Sequence, residues 1–216
     1  MLKNVVFGVQ CRMGSTRLPG KVLKQLNGKE LILHLHEGLL NSGVSSKKIY
    51  FLIPDTEKDI ELERFIKERS LNYLVGSEKN VYSRYKKLCH KLGEGKIVVR
   101  LTGDNPFIDL NVVFATLRSH LNRSADFTST RLITASGEVI HSVPKGNSVD
   151  IFNTNLMLKN EIGLSEFDKE HVIPSLYRVT NVNLVKGEYF DFKIKESISV
   201  DTKEDFIKLQ SIYNES

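Results

Sequence analysis

The sequence predicts an α/β fold: a mostly parallel sheet flanked by helices, with a small lid or hairpin subdomain, all within a single domain over residues 1–216. Three observations predict it. Apolar strand-like runs alternate with helix-like segments as far as about residue 121, and such alternation implies right-handed crossovers and a parallel sheet. The glycines, cations and carboxylates gather in loops that follow strands, where ligands of open α/β sheets bind. After about residue 126 the rhythm breaks into shorter pieces, which suggests a subdomain built onto the parallel half.

The elements follow in order. Residues 4–9 contain the apolar run Val5-Val6-Phe7-Gly8-Val9, a buried strand. Between Gly28 and Gly43, Leu31, Leu35 and Leu39 recur every four residues, the period of a helix. Residues 49–53 form a second strand, closed by Pro54. Asp55 or Thr56 is expected to cap a helix over about 57–69, with Ile60, Leu62, Phe65 and Ile66 as its apolar face. A short third strand covers 73–75, and Asn80 should cap a helix running to about residue 92. Residues 96–101 make the fourth strand. A helix over about 110–121 follows, with Asp109 as its cap. Beyond it lie a strand at 126–129, an irregular stretch at 131–147 that reads as a hairpin, lid or dimer arm, and a strand at 148–152. Helices at about 154–162 and 168–178, strands at about 181–186 and 196–200, and a last helix to about 213 complete the chain.

The chain has 216 residues, 40% hydrophobic and 26% charged, as an ordinary globular domain does. No apolar run approaches the roughly 20 residues that cross a bilayer. Residues 1–4 run straight into the first strand with no signal-peptide layout, so a cytoplasmic protein without a membrane partner is expected. Cys11 and Cys89 match neither a metal spacing nor a secreted framework and read as free thiols. Cations beside Cys11 favour a reactive thiolate, but an isolated cysteine is more often inert. The net charge of +5 suits nucleic acid or a polyanionic small molecule. There is no long Lys/Arg block, and Lys86, Lys87 and Lys91 fall on a solvated helix face, so nucleic acid is not the expected partner.

The loop after the first strand reads Gln10-Cys11-Arg12-Met13-Gly14-Ser15-Thr16-Arg17-Leu18-Pro19-Gly20-Lys21. Glycines let the backbone turn its N–H groups toward a ligand, and Arg12, Arg17 and Lys21 supply charge, so the loop is a candidate phosphate cradle. It has neither the GxxxxGK[ST] nor the GxGxxG spacing. Two further strand ends carry carboxylates, Asp104 in Thr102-Gly103-Asp104 and Asp201 in Val200-Asp201-Thr202. Asp109 relieves Asp104 of capping the next helix, whereas Asp201 reads about equally well as the cap of the last one. A carboxylate pair from two strand ends is what Mg²⁺ needs at a triphosphate site.

These stretches, with Gly76-Ser77, Val81 and Arg84-Tyr85, Arg100 to Asp104, Glu170-His171-Val172-Ile173-Pro174 and Val200 to Asp205, resemble the cytidylyltransferase family. The likeness is to its spore coat polysaccharide biosynthesis branch, related to the CMP-KDO and CMP-sialic acid synthetases, and covers nearly the whole chain in order. It implies a Rossmann-like nucleotidyltransferase fold. It implies Mg²⁺-dependent transfer of CMP from CTP to an acidic sugar or similar acceptor, with release of pyrophosphate, in surface polysaccharide or glycoconjugate synthesis. A homodimer is expected, with the irregular stretch at 131–147 as its arm. By resemblance, Arg12, Arg17 and Lys21 are the catalytic cations. Gln10, Cys11, Arg12, Gly14, Ser15, Thr16, Gly76, Ser77, Arg84, Thr102 and Gly103 line the nucleotide; Asp104 and Asp201 hold metal; Asp150, Glu170 and His171 meet the acceptor. His171 also reads as a satisfied helix histidine. Relatives usually show Gly-Leu-Asp-Val-Glu where this chain has Gly146-Asn147-Ser148-Val149-Asp150, so a serine stands in for an acid, and Cys11 replaces a usual alanine. Ser148 motivates a second reading, a nucleotide-binding or regulatory module without turnover.

Overall fold

The computed structural model describes residues 2–134, 138–159, 163–179, 182–192 and 197–214. Its centre is a seven-stranded sheet, ordered β11-β7-β10-β6-β1-β4-β5. In chain order the elements are β1 (Val5–Gln10), the short pair β2 (Gln25–Leu26) and β3 (Lys29–Glu30), α1 (Leu31–Asn41), β4 (Ile49–Pro54), α2 (Ile60–Glu68), β5 (Asn72–Gly76), α3 (Val81–Leu92), β6 (Ile97–Thr102) and α4 (Leu110–Asn122). There follow β7 (Phe127–Ser129), β8 (Arg131–Ile133), β9 (Val139–His141), β10 (Asp150–Asn153), α5 (Thr154–Lys159), α6 (Glu166–His171), α7 (Ile173–Val179), β11 (Val182–Leu184) and α8 (Lys203–Asn214). β5, β4, β1 and β6 are mutually parallel; β10 inserts antiparallel between β6 and β7, and β11 runs parallel to β7. The expected mostly parallel sheet is therefore present.

Burial explains the topology. Val5, Val6, Phe7 and Val9 of β1 are buried, as a central strand covered on both faces requires. Leu31, Leu35 and Leu39 of α1 are at most 2% exposed, so the four-residue period does mark the helix's inner face. One core cluster gathers β1, β4, α1, α2 and α4; a second packs α3, α5 and α7 on the other side. A third, smaller cluster joins Leu18, Leu26, Leu31, Ile198, Val200 and Leu209, residues from both ends of the chain.

Several boundaries differ from the sequence expectations, each for a physical reason. The β2–β3 hairpin was not expected, although its Asn27-Gly28 turn, with φ of 49° and 77°, is the residue pair that a tight hairpin favours. Asn80 and Asp109 do cap α3 and α4, accepting from Ser83 N–H and Asn111 N–H. Neither Asp55 nor Thr56 caps α2; the Thr56 hydroxyl donates to Asp59 instead. The helix expected over 168–178 is two helices. A continuous one would set the ring of Pro174 against the Glu170 carbonyl, and the chain breaks at Val172, whose φ is 67°. Residues 197–200 make no strand: Ile198 N–H donates to Lys145 C=O and Val200 N–H to Asp104 C=O, single bonds to two different loops. The stretch at 131–147 is a hairpin of β8 and β9, with residues 135–137 outside the described set. Residues 160–162, 181 and 196, at the expected ends of three elements, also lie outside it. Among the described residues no helix is long and apolar enough to cross a membrane.

Candidate active site

A cleft of about 350 Å³ opens at the carboxyl ends of β1 and β6. The loop 10–21 forms one side. It is pinned by Asp59, a residue the sequence reading overlooked: buried at the start of α2, its carboxylate accepts from Met13 N–H at 2.7 Å. Met13 C=O in turn accepts from Ser15 N–H and Gly20 N–H at 2.8 and 2.9 Å. Gly20 takes the left-handed conformation that admits the following turn at Lys21–Leu23, and Leu18 anchors the loop in the third core cluster. The N–H groups of Arg12, Gly14, Thr16 and Arg17 make no hydrogen bond among the described residues. The loop thus presents unused backbone donors together with cationic side chains, the chemistry of an anion cradle.

Lys21 is the hub. Its side chain is 10% exposed, and its Nζ donates to Asp104 at 3.0 Å, to Asp201 at 3.0 Å and to Val200 C=O at 2.7 Å. The two carboxylates therefore converge on one ammonium. Asp201 also accepts from Lys145 at 2.6 Å and lies 3.4 Å from Arg17. Burial opposes ionisation of Asp201, but hydrogen bonds from Lys145 and Lys21 outweigh it and hold the carboxyl down to about 2. Asp201 does not cap α8. Thr202 Oγ1 accepts from Asp205 N–H at 3.1 Å, and the Asp205 carboxylate accepts from Thr202 N–H at 2.8 Å, a reciprocal box that leaves Asp201 to the cleft.

The opposite wall carries Arg84 and Arg100, 3% and 7% exposed. Arg84 Nη1 donates to Leu52 C=O at 2.6 Å, and burial lowers its pKa. Gln10 lines the cleft with a buried Oε1 that has no hydrogen-bond partner among the described residues. Glu170 and His171 reach the cleft from the end of α6, and both residues are exposed; the Phe167 ring lies against His171 at 4.3 Å between centroids. Five cations and three carboxylates line the cleft, so a polyanion is drawn to it.

The structure thus brings together Gln10, Cys11, Arg12, Ser15, Thr16, Arg17, Lys21, Arg84, Thr102, Asp104, Glu170, His171 and Asp201. Gly14 belongs to the same loop, while Gly76, Ser77, Gly103 and Asp150 do not line the cleft. A Cβ on Gly76 would meet Arg84 Cγ at 3.0 Å, so this glycine lets the arginine stem lie on the backbone. Ser77 Oγ accepts from Asn80 N–H at 3.1 Å at the start of α3. A Cβ on Gly103 would stand 2.8 Å from Cys11 Cβ, so Gly103 closes the packing between the two strand ends. Cys11 is buried, and burial pushes its thiol pKa up, so it is no reactive thiolate. Asp150 is fully buried and does not face the cleft. Its carboxylate accepts from Arg100, Arg131 and Ser129. Ser148 Oγ lies 3.1 Å from His141 Nδ1, outside the cleft.

Lys145 and Asp59 are absent from the sequence expectations, and Arg100 stands there only as part of the Arg100–Asp104 motif, without a site role. Arg100 had a signal, a lone cation inside an apolar strand; Lys145 and Asp59 had none, because their roles depend on loops that meet only in the fold.

Comparison with known proteins agrees with this geometry. The profile of the cytidylyltransferase family matches residues 6–213. The spore coat polysaccharide biosynthesis protein SpsF of Bacillus subtilis is 28% identical over 227 residues, covering 100% of this chain and 88% of that protein. The 3-deoxy-manno-octulosonate cytidylyltransferase of Parabacteroides distasonis is 26% identical over 165 residues, 69% of this chain and 62% of that enzyme. The solved structure of a cytidylyltransferase from Leptospira borgpetersenii superposes with a TM-score of 0.82 at 24% identity, covering 99% of this chain and 87% of the other, and so shares the fold. With a strand-end cleft of this chemistry and a family match running almost from end to end, this chain belongs to the cytidylyltransferase family.

Proposed function

We propose that this protein transfers CMP from CTP to a hydroxyl of a small acidic sugar or related acceptor, releasing pyrophosphate, in surface polysaccharide or glycoconjugate synthesis. One observation carries the reading: Asp104, just past the end of β6, and Asp201, just before α8, meet on Lys21 of the basic loop, with each contact at 3.0 Å. The names of the Bacillus and Parabacteroides relatives support the nucleotide, the acidic acceptor and the pathway class.

In this reading the triphosphate lies along the loop 10–21. The free N–H groups of Arg12, Gly14, Thr16 and Arg17 hold its oxygens, with Ser15 at the same turn. Gln10, Cys11, Thr102 and Arg84 face the nucleoside, and the unpartnered Gln10 Oε1 is an acceptor for an amino group. The acceptor oxygen attacks the α-phosphorus in line with the departing pyrophosphate. Such a step needs positioning and charge neutralisation more than a covalent nucleophile. Arg12, Arg17 and Lys21 neutralise the leaving group, and Glu170 and His171 contact the acceptor.

Asp104 and Asp201 would hold Mg²⁺. The donor set fits: both carboxylates lie within 3.0 Å of a single cationic group, and Mg²⁺ at triphosphate sites takes one or two carboxylates plus phosphate oxygens. A bound Mg²⁺ supplies Lewis acidity at the phosphate oxygens. We also infer a homodimer. Leu132 and Ile140 of the β8–β9 hairpin and Leu184 of the edge strand β11 line one exposed apolar groove, which supports self-association there.

The test is a pyrophosphate-release screen of four nucleoside triphosphates against acidic sugars, with and without Mg²⁺. Release with CTP and one acid, lost in Asp104→Ala, is the expected result. Tight CTP binding without release across the panel would favour the module without turnover, and full activity of Asp104→Ala would sink the metal assignment.

A further inference from the structure

Arg100 stands on β6, two residues before Thr102, and lines the cleft with Glu170 and His171. Its guanidinium is fixed. Nη1 donates to Asp150 at 2.9 Å, and the group lies 5.9 Å from the centre of the Tyr85 ring. Asp150 is fully buried and also accepts from Ser129 Oγ at 2.7 Å and from Arg131. Burial opposes its charge, but Arg131 and Arg100 outweigh burial and keep it ionised. One carboxylate therefore serves two guanidiniums, and the cluster keeps an unmatched positive charge in a buried place. Such a charge is costly unless something neutralises it.

The remaining edge of Arg100 shows what fits. Nη2 and Nε, the two donors on one side of the guanidinium, make no hydrogen bond among the described residues, and Nε is shut off from solvent. With Nε enclosed, the donor offered to a ligand is Nη2, and a carboxylate oxygen is the strong partner of a guanidinium N–H. The triphosphate has its own donors on the loop 10–21, so this edge is free for the second substrate.

Resting on the nucleotidyl-transfer reading above, we propose that Arg100 anchors the acceptor's carboxylate and selects acidic over neutral acceptors, with Asp150 as the positioning residue that aims the guanidinium. The acid at position 150 then reaches the acceptor through Arg100, not by contact.

The experiment is calorimetry on the CTP-loaded protein. The probes are 3-deoxy-manno-octulosonate and N-acetylneuraminate, each beside its carboxyl-reduced alcohol. Wild-type protein is expected to bind at least one acid more tightly than its alcohol. Arg100→Gln should weaken that acid about tenfold or more, the worth of a charged hydrogen-bonded pair, while the affinities for the alcohol and for CTP hold. Arg100→Lys should recover part of the loss. An unchanged acid affinity in Arg100→Gln, equal weakening of acid and alcohol, or no acid bound by wild-type protein would each overturn the proposal. Should Arg100→Gln fail to bind CTP, the same comparison in Arg100→Lys decides. Failure of the underlying reading looks different: wild-type protein would not bind CTP at all. Pyrophosphate release with neutral acceptors alone would leave that reading standing and remove this one.

Discussion

Lys21 does two jobs that a residue list does not separate. It neutralises two carboxylates that would otherwise repel each other, and its third hydrogen bond, to Val200 C=O, ties the loop to the far end of the chain. Lys21→Met keeps the stem but leaves Asp104 and Asp201 without their shared partner. Pyrophosphate release should fall about 10²–10³-fold, as when a preorganised transition-state donor is removed. CTP titration in the same variant separates lost binding from lost turnover; a variant within tenfold of wild type contradicts the role. Gly146 shows the same dependence at the backbone. Its φ is 99°, and an added Cβ would stand 2.5 Å from Ile198 Cγ1 and 2.9 Å from Ser199 N. Gly146→Ala should therefore cost about 1–3 kcal/mol in denaturant unfolding, since backbone atoms have no easy way to yield. It should also lower activity, because Lys145 and Asp201 sit on the two segments forced apart. No sequence pattern singled out this contact. The glycine was legible; the neighbour that makes it necessary lies fifty residues away.

Helix α6 is short, and two devices hold it. Ser165 and Asp168 form a reciprocal capping box, and Arg178 donates to the buried Asp168 carboxylate at 2.6 Å. The Arg178 hydrogen bond, followed by those from Ser165, holds Asp168 down to about 2. A carboxyl depressed in the folded state contributes stability above its ordinary pKa, and that contribution is lost as pH falls from about 4 toward 2. Asp168→Asn should flatten this acid limb of the unfolding profile and leave the neutral side of the curve parallel to wild type. An unchanged acid limb would show that the pair does not form in solution. Because α6 delivers Glu170 and His171 to the cleft, the acceptor KM should rise in the same variant while the CTP KM holds. The β8–β9 hairpin carries a separate expectation. Ile140 is 46% exposed on it, so if the proposed dimer forms there, Ile140→Glu should give a monomer by light scattering without loss of secondary structure. At this scale the sequence was most readable where period or cap chemistry was local, as in α1, α3 and α4. It misled in two ways. Pro174, a local signal, split one expected helix, and two distant partners, Lys145 and Asp104, took the backbone bonds that a strand at 196–200 would have used.

The whole molecule explains why the site needs both ends of the chain. The parallel half, from β1 to β6, supplies the loop 10–21 and Asp104, and these were visible as strand-end chemistry in the sequence. Asp201 arrives only because Ile198, Val200 and Leu209 pack against Leu18, Leu26 and Leu31 in the third core cluster. That cluster is small, and it lies directly behind the carboxylate pair. Leu209 is 4% exposed, so Leu209→Ala should cost about 2–5 kcal/mol in global unfolding, the range for a buried leucine that leaves a cavity. A core truncation elsewhere offers the control: Leu117 is fully buried against the first cluster, away from the cleft. If the chain ends close the site, Leu209→Ala should lose more activity than Leu117→Ala when both are assayed at temperatures where each is fully folded. If the proposed Mg²⁺ site is correct, the deficit should also shrink as Mg²⁺ is raised, since a cation held by Asp104 and Asp201 would favour the arrangement that the missing methyl groups no longer enforce. Equal activities in the two folded variants would mean that Asp201 is held by its ion pairs alone, and that the packing of α8 serves stability only.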